Sequence, residues 1–348
     1  MKPIKRHPYL LMTILLIVLI VCFFIAINLG SIKVSFVQLL KGLFIEYDQQ
    51  VASVYQIRFP RIIVTILSGC ALALSGLLFQ VVLKNPLADP GLIGMSSGAY
   101  LAHLLVGIIL PELYTIKPLL AGLGGLLAFI LIYGLSWRDG LNTTRVILIG
   151  VAIHYFFNAI IQVIESMTSS SSSVSTVTLY SWHDVWLLFI YLLPLMIMMM
   201  FLAKACDLMN FSNRTLLSLG VPVNTYRLVL SLIAVMMCSI SVAVVGILGF
   251  IALLVPHLAR LLVGSQHRYL IPTCSMLGAI VLLLADTIGR VIIAPYEISP
   301  SFIMAIIGAP LFIILLKRSH ELHFRFEAHF HSVNAPHSKK YGFRKWPS

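Results

Sequence analysis

The chain has 348 residues, of which 59% are hydrophobic and only 10% are charged. Soluble proteins carry roughly a quarter charged residues, so water could not solvate this surface and lipid is expected to cover much of it. The formal net charge of +12 would suggest nucleic acid in a soluble domain. Here the basic residues lie between apolar runs, as the positive-inside rule produces, and we expect a polytopic membrane protein with no nucleic-acid partner.

Apolar runs near the roughly 20 residues needed to cross a bilayer recur from end to end. The first follows a basic start that resembles a signal peptide. Its apolar stretch is too long for a signal h-region and no small-residue cleavage site follows, so a retained helix is predicted. We predict an all-α fold with both termini cytoplasmic. The ten predicted transmembrane helices are Tyr9–Leu29, Ile62–Leu83, Ile93–Leu110, Pro118–Trp137, Val146–Ile164, Val185–Ala203, Leu228–Gly246, Phe250–Val263, Leu270–Gly289 and Phe302–Leu316.

A helix-breaking stretch separates the second and third spans. It reads Asn85-Pro86-Leu87-Ala88-Asp89-Pro90-Gly91, and two prolines with a glycine end the helix there. The chain then re-enters at Gly94–Gly98, whose small side chains permit close backbone contact. Small residues are also dense in the second span between Ser68 and Gly76, at the spacing that lets membrane helices approach closely. We interpret this second set as a packing pattern.

Three arginines fall on the predicted outer side, against the rule that sorts nearly every other arginine to the inside. Arg58 and Arg61 are three residues apart and have no acidic neighbour at helical spacing. Arg290 follows Asp286 by four residues, so one helical turn brings the two charges together. A self-neutralising pair at the membrane edge is one interpretation of Asp286 and Arg290. Unpaired guanidinium groups that bind carboxylates of another protein are the interpretation favoured for Arg58 and Arg61.

Several polar side chains lie inside predicted spans and need partners there. Two interpretations stay open: these side chains face a central pathway, or they hydrogen-bond between helices. The residues are Gln80, His154, Asn158, Gln162 and His257. The sequence contains no phosphate-binding G-x-x-x-x-G-K-[ST] loop and no visible Ser/His/Asp or metalloprotease pattern. The five cysteines are isolated and form no CxxC pair, so no disulfide framework, metal site or cofactor is predicted.

Two segments outside the spans have simple interpretations. Residues 319–348 form a predicted basic cytoplasmic tail with five histidines, beyond a transmembrane domain of residues 1–318. The tail is interpreted as a metal- or haem-binding appendage or as a solvated segment near anionic lipid, and no HExxH or Cys/His framework supports the former. The serine run Ser169–Ser173 is predicted to be an outer loop.

Three blocks of the sequence resemble one family. They read RFPRIIVTILSGCALALSGLLFQVVLKNPLADPGLIGMSSGA, GFIALLVPHLARLLVGSQHRYLIPTCSMLGAIVLLLADTIGR and EISPSFIMAIIGAPLFIILL. They run in the family's order over roughly residues 55 to 318 and resemble the FecCD-type permeases of bacterial ABC importers for ferric siderophores, haem and vitamin B12. The resemblance implies a vitamin B12-permease-like bundle of ten helices, paired in a homodimer or pseudo-homodimer with the pathway at the dimer interface.

The resemblance also implies partners and site residues. Two ABC ATPase subunits are expected below the bundle and an extracytoplasmic substrate-binding protein above it. The positions matching Arg58, Arg61 and Arg290 are the family's outer-face arginines, which receive glutamates from the binding protein. The segment Ser212–Tyr226 matches the cytoplasmic coupling helices that contact the ATPase. Its central positions are Ser218, Leu219 and Gly220, and the inner-gate positions are Asn85, Leu87, Thr143 and Thr144.

The sequence therefore predicts the permease subunit of an importer for a chelated iron compound, a ferric siderophore or haem, in a bacterial cytoplasmic membrane. A cobalamin permease of the same family is the alternative. An ion-coupled secondary transporter needs acids within the membrane, yet Glu165 and Asp286 lie near span ends. A membrane enzyme needs a clustered acid/base or metal set. We expect no covalent chemistry from this chain, since ATP hydrolysis is expected on the partner subunits.

Overall fold

The computed structural model describes residues 8–29, 47–136, 143–168, 180–293 and 296–314, with a few positions between 34 and 45 and residue 317. The basic N-terminus, the serine run and the predicted tail lie outside these residues. All the regular secondary structure in the described part is helical. The predicted all-α class is confirmed.

Seven of the described helices are long and apolar enough to cross a membrane, and three shorter apolar helices bring their number to the predicted ten. Two further short helices, Ala203–Met209 and Asn213–Ser218, join the long helices Trp182–Phe201 and Val223–Val245. In chain order the elements are α1 (Pro8–Asn28), α2 (Gln49–Val82), α3 (Met95–Ile109), a 3-10 helix (Pro111–Ile116), α4 (Lys117–Ser136), α5 (Thr143–Met167), α6 (Trp182–Phe201), α7 (Ala203–Met209), α8 (Asn213–Ser218), α9 (Val223–Val245), α10 (Ile251–Val263), α11 (His267–Val291) and α12 (Pro300–Ile314).

Helix α2 shows the largest departure from the predicted bounds, because it has 34 residues and begins well before Ile62. Asp48 caps its start, accepting hydrogen bonds from the backbone N–H groups of Gln50 at 2.8 Å and Val51 at 3.3 Å. A hydrogen bond from Gln38 lowers the pKa of Asp48, which keeps the cap ionised. Pro60 lies inside the helix and does not end it.

Helix α2 is also the buried centre of the bundle and packs against α11, α9, α10 and α6. Two glycines explain how closely its neighbours approach. A side chain at Gly69 would clash with the backbone of Gly278 in α11, and one at Gly76 would clash with the backbone of Ala252 in α10. The density of small residues in the second predicted span therefore does mark packing, as predicted.

The break between α9 and α10 is built from unusual backbone. Gly246 has φ +76° and Phe250, a non-glycine residue, has φ +67°. The helix that follows has 13 residues, which is about 20 Å of helix against a hydrocarbon core of about 30 Å. Helix α10 by itself is therefore shorter than the hydrocarbon core of a bilayer.

The length of α2 separates the two sets of predicted site residues. From Arg61 to Val82 the helix rises about 30 Å, which is the thickness of a hydrocarbon core. Arg61 and the end of α2 at Val82 thus lie at opposite ends of the bundle. Arg58 and Arg290 belong to the first end, and the turn Asn85–Gly91 belongs to the second.

Candidate functional site

The arginine cluster, defined here as Arg58, Arg61 and Arg290, lies where α2 and α11 pack together. Arg61 donates to Asp286 Oδ1 from Nε at 3.0 Å and from Nη2 at 2.8 Å. Its Nη1 donates to Glu297 Oε2 at 2.7 Å. Asp286 is completely buried, so this fork-to-carboxylate contact is made away from water. Arg61 is held by two carboxylates of its own chain.

The other two arginines bind the end of α1. Arg58 Nη1 donates to the carbonyl oxygen of Ile27 at 2.7 Å, and Arg290 Nη2 donates to that of Ala26 at 3.0 Å. These carbonyls lie in the last turn of α1, which has no further helical N–H groups to bond them. Cations at a helix C-terminus are favourable. The two arginines therefore cap α1 and fix it against α2 and α11.

The predicted pairing of Asp286 with Arg290 is confirmed, with 3.3 Å between Oδ2 and Nε. The expectation that Arg58 and Arg61 are unpaired is wrong for Arg61. Its partners follow it in the sequence by 225 and 236 residues, which helical spacing could not reveal. Arg58 is 8% and Arg61 5% exposed, so neither is the open fork that was expected.

Glu297 is the functional candidate that sequence reasoning missed. It is 35% exposed, in contrast to buried Asp286, and it links Arg61 to the surface of the protein. It opens the third block of the family resemblance, EISPSF, and that position was the available clue. The cluster thus brings three guanidinium groups close to the carboxylates of Asp286 and Glu297.

At the opposite end, the predicted gate turn is a compact loop after α2. The backbone N–H of Leu87 donates to Asn85 Oδ1 at 2.9 Å, and the N–H of Ala88 donates to the Asn85 carbonyl at 3.2 Å. These bonds form a local asparagine turn that needs no partner from another helix. The Leu87 side chain is left 43% exposed at the tip. An exposed leucine on a rigid turn is a suitable contact for a neighbouring chain.

Asp89 anchors the same turn from inside. Its Oδ1 accepts the Gly91 N–H at 2.6 Å, while Oδ2 has no hydrogen-bond partner among the described residues. Burial raises the pKa of Asp89 to about 6. An ionised carboxylate is costly in such a site, so the folded protein keeps this proton to a higher pH than the unfolded chain does.

Replacing Asp89 by asparagine is expected to stabilise the protein, and by about 1 kcal/mol more at pH 8 than at pH 5. The reason is that the pKa of Asp89 in the folded protein is raised above its ordinary value of 3.8. The ionisation cost therefore grows as the pH rises above 3.8 and levels off above about 6. Asparagine keeps the oxygen that accepts the Gly91 N–H and never ionises. Thermal unfolding of the purified protein at both pH values is the measurement.

The control for this experiment is Asp48→Asn, because the pKa of Asp48 is lowered, first by the hydrogen bond from Gln38. The stability that Asp48 contributes is present above its unfolded pKa and is lost only as the pH falls below that value. Its replacement should therefore cost the same at pH 5 and pH 8. An Asp89→Asn effect that is equally independent of pH would contradict the titration of Asp89 in this range.

The second pair of predicted gate residues begins α5. Thr144 is exposed, and the side chain of Thr143 lies outside the described residues. Farther along α5 the backbone approaches the residues that follow the turn. A side chain at Gly94 would lie 3.0 Å from the carbonyl of Gly150, and Gly94 itself has φ +88°. The turn after α2 and helix α5 are therefore packed as neighbours.

The predicted coupling residues lie at the end of the short helix α8. Ser212 caps its start, accepting the Thr215 N–H at 3.2 Å. Gly220 ends it with φ +70°, and the N–H groups of Gly220 and Val221 bond back into the last turn. Leu219 is 63% exposed, and a side chain added at Gly220 would meet nothing within 4 Å. Leu219 and Gly220 therefore form an exposed turn at the end of α8, which we call the knob.

The polar residues inside the spans differ in their contacts and their exposure. Gln80 hydrogen-bonds between helices, donating to the carbonyls of Ala252 at 3.5 Å and Leu253 at 3.3 Å. His154 and Asn158 bond to each other along α5 at 3.0 Å. Gln162 is exposed on the same helix. Among the described residues, no group of three His, Cys, Asp or Glu side chains could hold a metal ion.

Comparison with known families gives one match over most of the chain. The model of the FecCD transport family matches residues 18–318. A curated relative, the "Probable heme-iron transport system permease protein IsdF" of Staphylococcus aureus strain MSSA476, is 36% identical over 316 residues. That alignment covers 91% of this chain and 98% of the relative. The protein of the same name from strain Newman is equally similar.

Two solved structures share the fold. One is described as an inward-facing conformation of a metal-chelate type ABC transporter and has a TM-score of 0.77 at 25% identity. It covers 90% of this chain and 100% of its own. The other, PsaBC from Streptococcus pneumoniae, has a TM-score of 0.56 at 17% identity, covering 80% of this chain and 95% of its own, and supports the fold alone.

Proposed function

The chain belongs to the FecCD transport family, and from that membership we propose that it is the transmembrane subunit of a binding-protein-dependent ABC importer. It is a multi-pass membrane permease. The observation that carries the proposal is the match of the family model over residues 18–318, which takes in the second half of α1 and the nine apolar helices after it. We place the protein in a bacterial cytoplasmic membrane, with both termini and the basic tail 319–348 on the cytoplasmic side.

The proposed substrate is a chelated iron compound, with haem ahead of a ferric siderophore. The support is that a relative over nine-tenths of the chain is named a heme-iron permease and that the structural relative is described as a metal-chelate type transporter. Cobalamin is the alternative within the same family. The iron chelate is cargo here and not a resident cofactor.

An ion-coupled secondary transporter is less well supported than an ATP-driven importer. Such a transporter needs carboxylates in its pathway that can take up and release the coupling ion. Asp286 is instead buried in the ion pair with Arg61, and Glu165 accepts a hydrogen bond from Tyr100 at 3.3 Å. Both are committed to contacts within the chain near helix ends.

The proposed function is tested by uptake into membrane vesicles or proteoliposomes that contain this permease, its ATPase and its binding protein. Haem uptake should require ATP and should stop when the ATPase carries an inactivating substitution. A ferric siderophore and cobalamin, offered to the same vesicles, discriminate among the substrates. Uptake that persists with the inactive ATPase, and responds to an ionophore, would contradict the ABC importer.

The proposed assembly pairs this chain with a second permease subunit, either identical or a paralogue, across α5. Little of α5 is buried within the chain, and it exposes large apolar side chains such as Tyr155, Phe156 and Met167. The same helix carries His154, Asn158 and Gln162. Such a mixture of apolar and polar groups suits a helix that faces a partner on one side and a pathway on the other.

We assign the arginine cluster to the side that faces the binding protein, the turn at Asn85 and Leu87 with Thr143 and Thr144 to the inner gate, and Ser218, Leu219 and Gly220 to the ATPase contact. The position of the arginine cluster at the end of the bundle opposite the gate turn, and the exposed knob at the end of α8, support these assignments.

A cysteine at position 87 is expected to crosslink to its counterpart in a second subunit when the inner gate is closed, and less when it is open. The reason is that Leu87 is exposed at the tip of a rigid turn. All five native cysteines are buried, so the background should be low. Leu219→Cys is the matched control, since it is exposed but assigned to the ATPase contact. The absence of crosslinking in every nucleotide state would remove Leu87 from the gate.

A further inference from the structure

A cavity of about 300 Å³ lies where α2, α7 and α10 end and α11 begins. We call it the basic pocket, because Lys84, Arg260 and His267 line it. Its neutral polar lining comes from Asn85, Asn210 and Ser265, and no acidic residue belongs to its described lining. Every charged group on its wall is therefore a cation or a potential cation.

These cations are bonded to neutral oxygens. Arg260 Nη1 donates to the amide Oε1 of Gln80, whose own NH₂ group is fixed by carbonyls of α10. Lys84 Nζ donates to Asn213 Oδ1 at 2.9 Å and to the carbonyl of Phe211. Neither cation takes part in any of the ion pairs found among the described residues. Arg61, in contrast, is paired with two carboxylates.

A third basic side chain on the wall is incompletely bonded. His267 Nδ1 lies 2.7 Å from Asp207 Oδ1, and the His267 backbone N–H donates to the same oxygen at 2.9 Å. The ring is 2% exposed, yet its Nε2 has no hydrogen-bond partner among the described residues. This Nε2 is an acceptor when the ring is neutral and a donor only when the ring is protonated. Asp207 offsets His267 but makes no ion pair with Lys84 or Arg260.

The positive charge extends beyond the pocket wall. Arg227 Nη2 donates to Asn213 Oδ1 at 3.2 Å, so Arg227 and Lys84 share one neutral amide oxygen. Burial and the charge of Arg227 lower the pKa of Lys84. Burial disfavours a charge of either sign, so it is the nearby charge of Arg227 that favours an anion here.

We propose that the basic pocket binds an anionic oxygen group, a carboxylate or a phosphate, between Arg260 and Lys84. The guanidinium fork and the ammonium group supply charge-assisted hydrogen bonds to such a group. Free phosphate is one source of such a group. An acidic side chain of the ATPase is the other, because α7 runs from this pocket to the coupling segment. The second source rests on the proposed function, whereas the first does not.

The test for free anion uses the purified full-length permease in detergent. Inorganic phosphate, titrated against chloride at constant ionic strength, should raise the thermal unfolding midpoint of the wild type saturably. Arg260→Gln and Lys84→Gln should abolish that rise. Lys204→Gln is the matched control, because Lys204 is an exposed cation on α7 that does not line the pocket. A rise that is equal in wild type and Arg260→Gln would exclude free phosphate as the occupant of the pocket.

The test for a protein carboxylate measures the affinity of the same four proteins for the ATPase. Arg260→Gln and Lys84→Gln should weaken the complex at least tenfold, while Lys204→Gln should not. This result without a phosphate effect identifies the ATPase as the source. Wild-type behaviour of both pocket variants in both assays overturns the site. Neither assay measures substrate uptake, so failure of the proposed iron-chelate transport would be seen separately.

Discussion

Replacing Arg61 by glutamate is expected to prevent the permease from accumulating as folded protein. The substitution removes the fork that holds Asp286, which is completely buried, and places a third carboxylate beside Asp286 and Glu297. Breaking a buried pair from one side costs about 3–5 kcal/mol. Since a folded protein is stable by only about 5–15 kcal/mol, this loss is a large part of the total. Membrane extracts analysed by size-exclusion chromatography of a fluorescent fusion give the measurement.

Two variants show whether the loss comes from the buried pair. Arg214→Glu reverses an exposed charge on α8 and should accumulate normally. Glu297→Gln removes the partly exposed partner of Arg61 and should have a much smaller effect. If Arg61→Glu accumulates and melts like the wild type, the ion pair does not hold the bundle together.

The ion pair changes how docking at the arginine cluster must be tested. Sequence reasoning alone would predict that reversing Arg58 and Arg61 abolishes uptake while insertion stays intact. With Arg61 paired to Asp286, lost uptake in that double variant would report on folding as well. Arg58→Gln is the cleaner variant, because glutamine can still donate to the carbonyl of Ile27.

For Arg58→Gln we propose normal accumulation. Its affinity for the binding protein should be weaker by about 1 kcal/mol or less, the contribution of one ion pair at the edge of an interface, and should depend less on salt. A glutamate-to-arginine change on the partner should further weaken binding to the wild type and have less effect on the variant. An affinity and a salt dependence that match the wild type would exclude Arg58 from the docking surface.

Local features of the fold could be predicted from the sequence. The end of α2 was predicted within one residue, because Asn85-Pro86 and Pro90-Gly91 cannot continue a helix and the rule is local. The start of the same helix was missed by thirteen residues. The predicted span begins at Ile62, two residues after Pro60, whereas the cap at Asp48 depends in part on Gln38, ten residues earlier. The helix continues through Pro60, where it is packed against its neighbours, and such packing is not visible in the sequence.

The part of the candidate site that the sequence did not predict consists of contacts between residues that are far apart in the chain. Arg61 meets Asp286, and Gln80 meets Arg260, only because glycines such as Gly69 and Gly76 let α11 and α10 pack directly on α2. A single sequence gives the composition of these helices but not their register against each other. The residues of the arginine cluster and the pairing of Arg290 with Asp286 were therefore identified, while the partners of Arg58 and Arg61 and the burial of the cluster were not.

Replacing Gly220 by tryptophan is expected to weaken the association of the permease with its ATPase by about 100-fold, or about 3 kcal/mol. A side chain at this position meets nothing within 4 Å in the isolated subunit, so tryptophan would project from the end of α8. Beside it Leu219 is 63% exposed and available to a partner. A tryptophan between this knob and a closely fitting surface would hold the two apart. Affinity measured by surface-immobilised permease, with ATP-dependent uptake in parallel, gives the result.

The backbone of Gly220 provides the matched control. Its φ of +70° disfavours any side chain, which costs roughly 1–2 kcal/mol in the permease itself. Asparagine tolerates this conformation best, so Gly220→Asn separates the strain from the added bulk. If Asn and Trp weaken the complex equally, the turn geometry is what matters. If only Trp does, the ATPase lies against Gly220. If the Trp variant binds the ATPase and drives uptake normally, the end of α8 is not the coupling contact, and the exposed Leu219 must serve another surface.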